Sequence, residues 1–449
     1  MSSSTSSGVR RDAVALAVFK IAIAVWLVRA GFSHISDDDY ARTAIAEAFA
    51  HAPKLDPSGT SWLPFPFWIT GSAMALFGRT LATARAVAVL LAAVGAAFVY
   101  VAARGAGVPR WAALSGVVLA SATPWSAWCG AATVPEGFTG AFVAAALIAL
   151  TTPRAIPRWA AALLVAAALS RYETWPLCLL FAVGALRRRA YFAAAIASLG
   201  PLAWMAWNQY AHGSALHFFV RVAAYRHAIG ADAAPMDDQL LLYPRALVTG
   251  ALDVACVGAF AIAAFCMFRA YRTRWLPALA GVALLLVFLA YGEAKGGAPT
   301  HHPERALLTA WWVLAVAGAD GLFAIAKQLA WGNSKRESAA FAVGLALTCT
   351  WALRLVGHLH DHPANNAEED RTAQIARGLA LRERASAVDR VSVEPCAYEH
   401  FALIAAFGAP ERVDIVSGAP GTTLGTGGAR APVTPACPRV TARSSSSPL

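Results

Sequence analysis

Charge is what this chain has least of. Only 14% of its 449 residues are Asp, Glu, Lys or Arg, against 58% hydrophobic, and the mean hydropathy is +0.52. A water-soluble chain of this length has too little interior to hide so much apolar surface. Acids are the scarcer charged type, 26 against 37 Lys and Arg. Alternating apolar and polar runs are missing, which excludes a membrane β-barrel. There is no Gly-rich nucleotide loop, no zinc-protease signature and no serine-nucleophile elbow. No internal repeat divides the chain into the paired halves of a two-fold transporter. Five of the seven cysteines lie in or beside apolar segments and read as small core residues. Cys396 and Cys437 fall in the C-terminal region, where a disulfide is open if the compartment is oxidising.

What the chain does have is continuous apolar runs of bilayer-crossing length, so the fold class is an all-α polytopic membrane protein with about eleven transmembrane helices. The first span is Ala13–Phe32, followed by runs near 80–103, 111–130, 136–151, 157–170, 174–186, 191–208, 247–268, 275–291, 306–326 and 338–357. Charge, not a small-residue cleavage site, follows the first run, which favours a retained span over a signal peptide. "RYETWP" breaks the stretch 157–186, which is short for two crossings.

The net charge of +11 reports topology rather than nucleic-acid binding. Arg10 and Arg11, Arg104 and Arg110, Arg154 and Arg158, Arg187 to Arg189, Arg269 to Arg274, and Lys327 to Arg336 occupy alternate short loops. That is the positive-inside pattern, and it places the N-terminus in the cytoplasm of a plasma (inner) membrane protein. The opposite face then receives residues 33–79, 131–136, 171–173, 209–246 and 292–305, and everything after about residue 358. The expected domains are a transmembrane domain, 1–357, with a first outer loop at 33–79, and a small extracytoplasmic α/β domain, 358–417. In the latter, "RVSVEPCAYEHFALIAAFGAPERVDIVS" alternates as strand, helix, strand. The Gly-, Thr-, Pro- and Ser-rich tail, 418–449, is expected to be disordered.

Polar groups gather on that outer face. Asp37, Asp38 and Asp39 follow the first span, ahead of an amphipathic stretch, "YARTAIAEAFAHA", expected at the interface. Glu136 is a lone acid in the turn "ATVPEGFTG", and Arg171 and Glu173 stand at another outer end. The loop "YGEAKGGAPTHHPERALL" carries Lys295, His301, His302 and Arg305. Arginine suits a phosphate because its planar fork donates two charge-assisted hydrogen bonds. Adjacent histidines make a weak zinc site.

These patches resemble the GT-C superfamily of polyprenyl-phosphate-sugar glycosyltransferases, nearest the protein mannosyltransferase and aminoarabinose transferase-like branch. The layout "SDDDYARTAIAEAFAH" followed by "WLPFPFWITGSAMALFGRTLATARAVAVLLA" carries the resemblance. It implies an acidic catalytic pair at Asp38 and Asp39, with Asp37 the alternative, and a second acid at Glu136. It further implies donor phosphate or sugar contacts at Arg171 and Arg305, where this chain has Arg305–Ala306 in place of the Arg-Tyr pair common in relatives. The implied reaction is an inverting transfer from a polyprenyl-phosphate sugar to a protein, glycolipid or polysaccharide acceptor. No cofactor is required; a divalent cation is left open, with Asp38 and Glu136 as its oxygen ligands. The rival readings are a transporter or flippase and a non-catalytic scaffold. Both leave the one-sided gathering of polar groups unexplained.

Overall fold

A computed structural model describes residues 3–59, 61–153, 155–228, 236–295, 302–330, 370–384, 390–393, 398–415 and 440–443. The expected span 338–357, His301, Cys396 and Cys437 lie outside the described residues. The chain forms two compact units. The first comprises Met1–Phe32, Ser58–Pro66 and Ala88–His362; the second comprises Ser33–Pro57, Phe67–Val87 and Pro363–Leu449.

The apolar runs are helices. The first unit holds α1 (Ser3–Arg29), and the second holds α2 (Asp38–His51). Two helices, α3 (Phe65–Phe77) and α4 (Leu81–Gly105), have residues in both units. In the first unit follow α5 (Arg110–Ala122), α6 (Pro124–Ala131), α7 (Glu136–Ala149), α8 (Arg158–Ala168), α9 (Trp175–Arg187) and α10 (Tyr191–His212). They are succeeded by α11 (His217–Ala228), α12 (Met236–Thr249), α13 (Leu252–Met267), α14 (Arg269–Ala294) and α15 (Leu308–Ala330).

The expectation of about eleven spans is not confirmed among the described residues. Among the described residues, three helices are long and apolar enough to cross a membrane: Leu81–Gly105, Arg269–Ala294 and Pro303–Gln328. The number rises to five if two bent helix pairs each count as one span. The run 111–130, read as one span, is two helices. Pro124 has no N–H to continue α5, and Thr123 before it is extended (φ −48°, ψ 132°). The second of these helices, α6, then meets α7 at a bend of 118°. The stretch 157–186 is two helices, α8 and α9, joined by a 3-10 turn at Tyr172–Thr174.

Hydrocarbon offers no hydrophobic drive for helix association, so close backbone approach through small residues has to supply the attraction. Every residue of α7 is buried, and it packs against α6, α8 and α15. Along the α13–α15 contact a side chain at Gly318 would collide with the Val257 carbonyl, and one at Gly321 would stand 2.5 Å from the Phe260 carbonyl oxygen. Of the cysteines expected as core, Cys129 and Cys178 are buried, whereas Cys256 and Cys266 on α13 are exposed.

In the second unit α2 is joined by α16 (Thr372–Arg384) and α17 (His400–Phe407). Three strands accompany them: β1 (Arg390–Val393), β2 (Val413–Ile415) and β3 (Val440–Arg443). The sheet order is β2-β1-β3, with β1 parallel to β2 and antiparallel to β3. Val391 and Val393 face one side and pack on Leu403, Phe407 and Ala409, as the two-residue period of a strand requires. Strand β3 lies in the tail expected to be disordered. Tyr40 of α2 packs on Ala402 and Ala405 of α17, so α2 lies against protein on this face.

Gly318→Val should overpack the α13–α15 contact and cost about 1–3 kcal/mol. Gly292→Ala, where an added methyl meets nothing within 4 Å, should be neutral. Thermal unfolding in detergent measures both, and equal melting temperatures would show that this contact does not limit stability.

Candidate functional site

In the first unit three distant segments converge on one carboxylate. Glu136 opens α7 after the tight turn from α6, and it is only 3% exposed. The close passage of α6 and α7 depends on Gly137, where a side chain would collide with the Cys129 carbonyl. A helix N-terminus also favours a negative charge at this position. Arg305 comes from a 3-10 turn, Pro303–Leu307, that leads into α15, and it is 8% exposed. Its Nε and Nη2 donate to Glu136 Oε1 at 3.0 and 2.7 Å. Arg171, extended at the end of α8, donates to the same oxygen from Nη1 at 2.9 Å, and from Nε to Glu173 at 2.6 Å. Two guanidinium groups are thus held against one buried acid. Charge buried in this way persists only when it is paired and hydrogen-bonded.

Aromatic rings flank the cluster. His302, whose carbonyl accepts the Arg305 N–H, lies 5.1 Å from the Trp125 ring, which in turn meets Trp128 edge-on. Tyr172, next to Arg171, stacks on Phe218 at 4.3 Å and accepts from Trp204 Nε1. Lys295, exposed at the carboxyl end of α14, is not among the residues joined to Glu136.

In the second unit the three aspartates occupy different environments. Asp37 receives Arg371 in a bidentate pair, Nε to Oδ1 at 2.8 Å and Nη2 to Oδ2 at 2.9 Å. Asp39 is buried, and its Oδ2 accepts the backbone N–H of Ile35 at 3.0 Å and of Ser36 at 3.4 Å. Asp38 begins α2 and is half-buried. Asp37 and Asp39 therefore bind and shape the loop.

Two neighbours escaped the sequence reading. Buried His34 has its Nδ1 2.7 Å from Ser33 Oγ and 3.2 Å from the Tyr40 hydroxyl. Burial holds its pKa below the usual imidazole value, with Asp39 and Asp37 opposing the shift. His34 stands inside the quoted motif and was legible as a polar residue beside the acids. Arg371 is 334 residues from Asp37 and gave no local signal.

A third unread residue is Glu47 on α2. It is fully buried, and among the described residues neither carboxyl oxygen has a hydrogen-bond partner. Burial pushes its pKa up to about 9, partly offset by Arg79 and Arg382. Among the described residues no group of three or more His, Cys, Asp or Glu side chains is assembled to hold a metal ion.

Solved structures share this architecture. ArnT from Cupriavidus metallidurans in its apo state matches with a TM-score of 0.55 at 15% identity, over 90% of this chain and 89% of that one. The same protein bound to undecaprenyl phosphate matches with a TM-score of 0.54 at 15% identity, over 89% of each chain. The chain has the ArnT fold. That is the fold the sequence resemblance to the GT-C superfamily implied, and with the long apolar helices it marks an integral membrane protein. No protein-family model and no curated protein matches the chain.

Between its unfolded value near 4.5 and its folded value of about 9, Glu47 keeps in the folded chain a proton that the unfolded chain releases. Stability should therefore fall as pH rises through that window, by up to about 1.4 kcal/mol per pH unit. Glu47→Gln should flatten the slope and raise the melting temperature at the alkaline end. Thermal unfolding across the window tests this, and an unchanged slope assigns the titration to another group.

Proposed function

We propose that this protein is a membrane glycosyltransferase that moves a sugar, with inversion, from a polyprenyl-phosphate donor to an acceptor on the extracytoplasmic face. The observation that carries the reading is the pair of guanidinium groups, Arg305 and Arg171, held on one buried carboxylate in a fold whose ArnT relative binds undecaprenyl phosphate.

The chemistry follows from charge. As the bond from the anomeric carbon to the phosphate oxygen breaks, negative charge grows on the lipid phosphate. Preorganised cations stabilise that charge without having to reorganise at the moment of reaction. Glu136 supplies the preorganisation by fixing the planes of both arginines. The acceptor must lose a proton as it attacks, and Asp38 is the proposed base. Asp38 belongs to the acidic pair that the resemblance implies, and it opens α2 half-buried. His302, Lys295 and His301 are retained as donor-binding residues of the late loop, with His302 next to the Trp125 ring.

A metal-free reaction is the preferred form. Glu136 already faces two guanidinium groups, which repel a divalent cation, so a site built from Asp38 and Glu136 would be electrostatically poor. A lipid donor also fits the membrane setting, since headgroup and tail require different solvents. The arginine-rich alternate loops support a cytoplasmic N-terminus and an extracytoplasmic C-terminal region.

The test is sugar transfer or donor hydrolysis by purified protein with a panel of polyprenyl-phosphate sugars. Asp38→Asn should lower turnover by about 10²–10⁴-fold with donor binding intact. Wild-type turnover would remove Asp38 from the mechanism. Arg305→Ala should weaken donor binding by roughly ten- to a hundredfold, the worth of charge-assisted hydrogen bonds at about 1.5–3 kcal/mol. Unchanged affinity would refute the phosphate contact.

A further inference from the structure

The second unit contains a cationic cavity that the proposed transfer does not use. It is lined by Arg79, Arg382, Phe407, Gly408, Ala409 and Arg412, and its volume is about 190 Å³. At about 30 Å³ per water it has room for a small polyatomic anion.

The arrangement of charge is unusual for a solvated surface. Arg79 donates from Nη1 to both oxygens of Glu411 at 2.9 Å. Arg382, reaching across from α16, donates from Nη1 to the Arg79 backbone carbonyl at 2.9 Å, which fixes a second guanidinium at the edge of the same space. The approach uses a glycine. Gly408, with φ +77°, ends α17 in the left-handed region, and a Cβ there would stand 2.7 Å from the Arg79 carbonyl oxygen and 3.1 Å from Arg382 Nη1. Arg412 completes the wall, 5.5 Å over the Phe407 ring.

Three guanidinium groups therefore line one space, with Glu411 paired to Arg79. Glu47 also acts electrostatically on this group, but burial keeps it protonated at neutral pH, so it does not cancel the cations. His51, 3.8 Å from Glu411, adds positive charge when protonated. The carboxyl end of α17 attracts cations, and Glu411 matches Arg79. Like charges gathered in one space repel, and an anion with several acceptor oxygens relieves that repulsion.

We propose that Arg79, Arg382 and Arg412 form a binding site for a phosphate group, distinct from the Glu136–Arg171–Arg305 cluster. The phosphate belongs either to a lipid headgroup or to a small soluble phosphate. The two share the chemistry that the guanidinium forks recognise.

The experiment uses the full chain in neutral detergent. Inorganic phosphate and a short-chain, soluble phosphatidylglycerol are titrated separately, with chloride at matched ionic strength as reference. Binding is read as protection of individual arginines from a guanidinium-specific reagent, mapped by mass spectrometry, so Arg382 and Arg412 are scored apart from Arg171 and Arg305. Saturable protection of Arg382 and Arg412 is expected, with affinity at least about tenfold lower in Arg382→Gln and Arg412→Gln. Arg377→Gln, on the same helix but outside the cavity, should bind as wild type.

Protection by phosphate alone assigns the site to a soluble phosphate, and protection by the lipid alone to a headgroup. Protection by both supports the shared chemistry. Protection no better than with chloride, or equal affinity in the two cavity variants, overturns the proposal. If a variant fails to fold, protection mapped on the wild-type chain still decides the matter.

Discussion

The interaction on which the first unit depends is the sharing of Glu136 between Arg171 and Arg305. Among apolar helices a lone carboxylate or a lone guanidinium is costly, and each makes the others tolerable. The three residues belong to the start of α7, the end of α8 and the turn before α15, so neutralisation also fixes those ends in register. The same pairing holds two flat cations in fixed orientation.

That arrangement rests on backbone proximity. Pro124 breaks the preceding run, α6 meets α7 at a bend of 118°, and Gly137 lets α7 pass close to Cys129. Glu136 sits at the resulting corner, where the first turn of a helix welcomes an acid. Glycines do the same work along α13 and α15. In a protein with so few polar contacts to spend on helix association, small residues at crossings carry much of the packing.

The second unit treats charge differently. There the C-terminal segment supplies Arg371 to Asp37, and backbone N–H groups occupy Asp39, so three identical neighbours in sequence acquire three environments. Glu47 shows the opposite solution to the problem met at Glu136: a buried acid that, among the described residues, has no cation in hydrogen-bond contact keeps its proton instead.

Composition and apolar run length were enough to establish a helical membrane protein, because bilayer thickness and backbone hydrogen bonding leave few alternatives. The motif around Asp37–Asp39 and the isolated acids and arginines between spans were visible as charges where charge is rare. Local signals also marked the "RYETWP" break and the strand-like stretches around Val391 and Val413. The number of spans is not confirmed among the described residues, and run length alone does not reveal that 111–130 breaks at Pro124 into two helices. Nor was the assignment of partners. Glu136 meets Arg171 across 35 residues and Arg305 across 169, and Asp37 meets Arg371 across 334. Periodicity reports only what lies within a few turns of helix or strand. Which distant charges neutralise one another is decided by packing, and only the tertiary structure decided it.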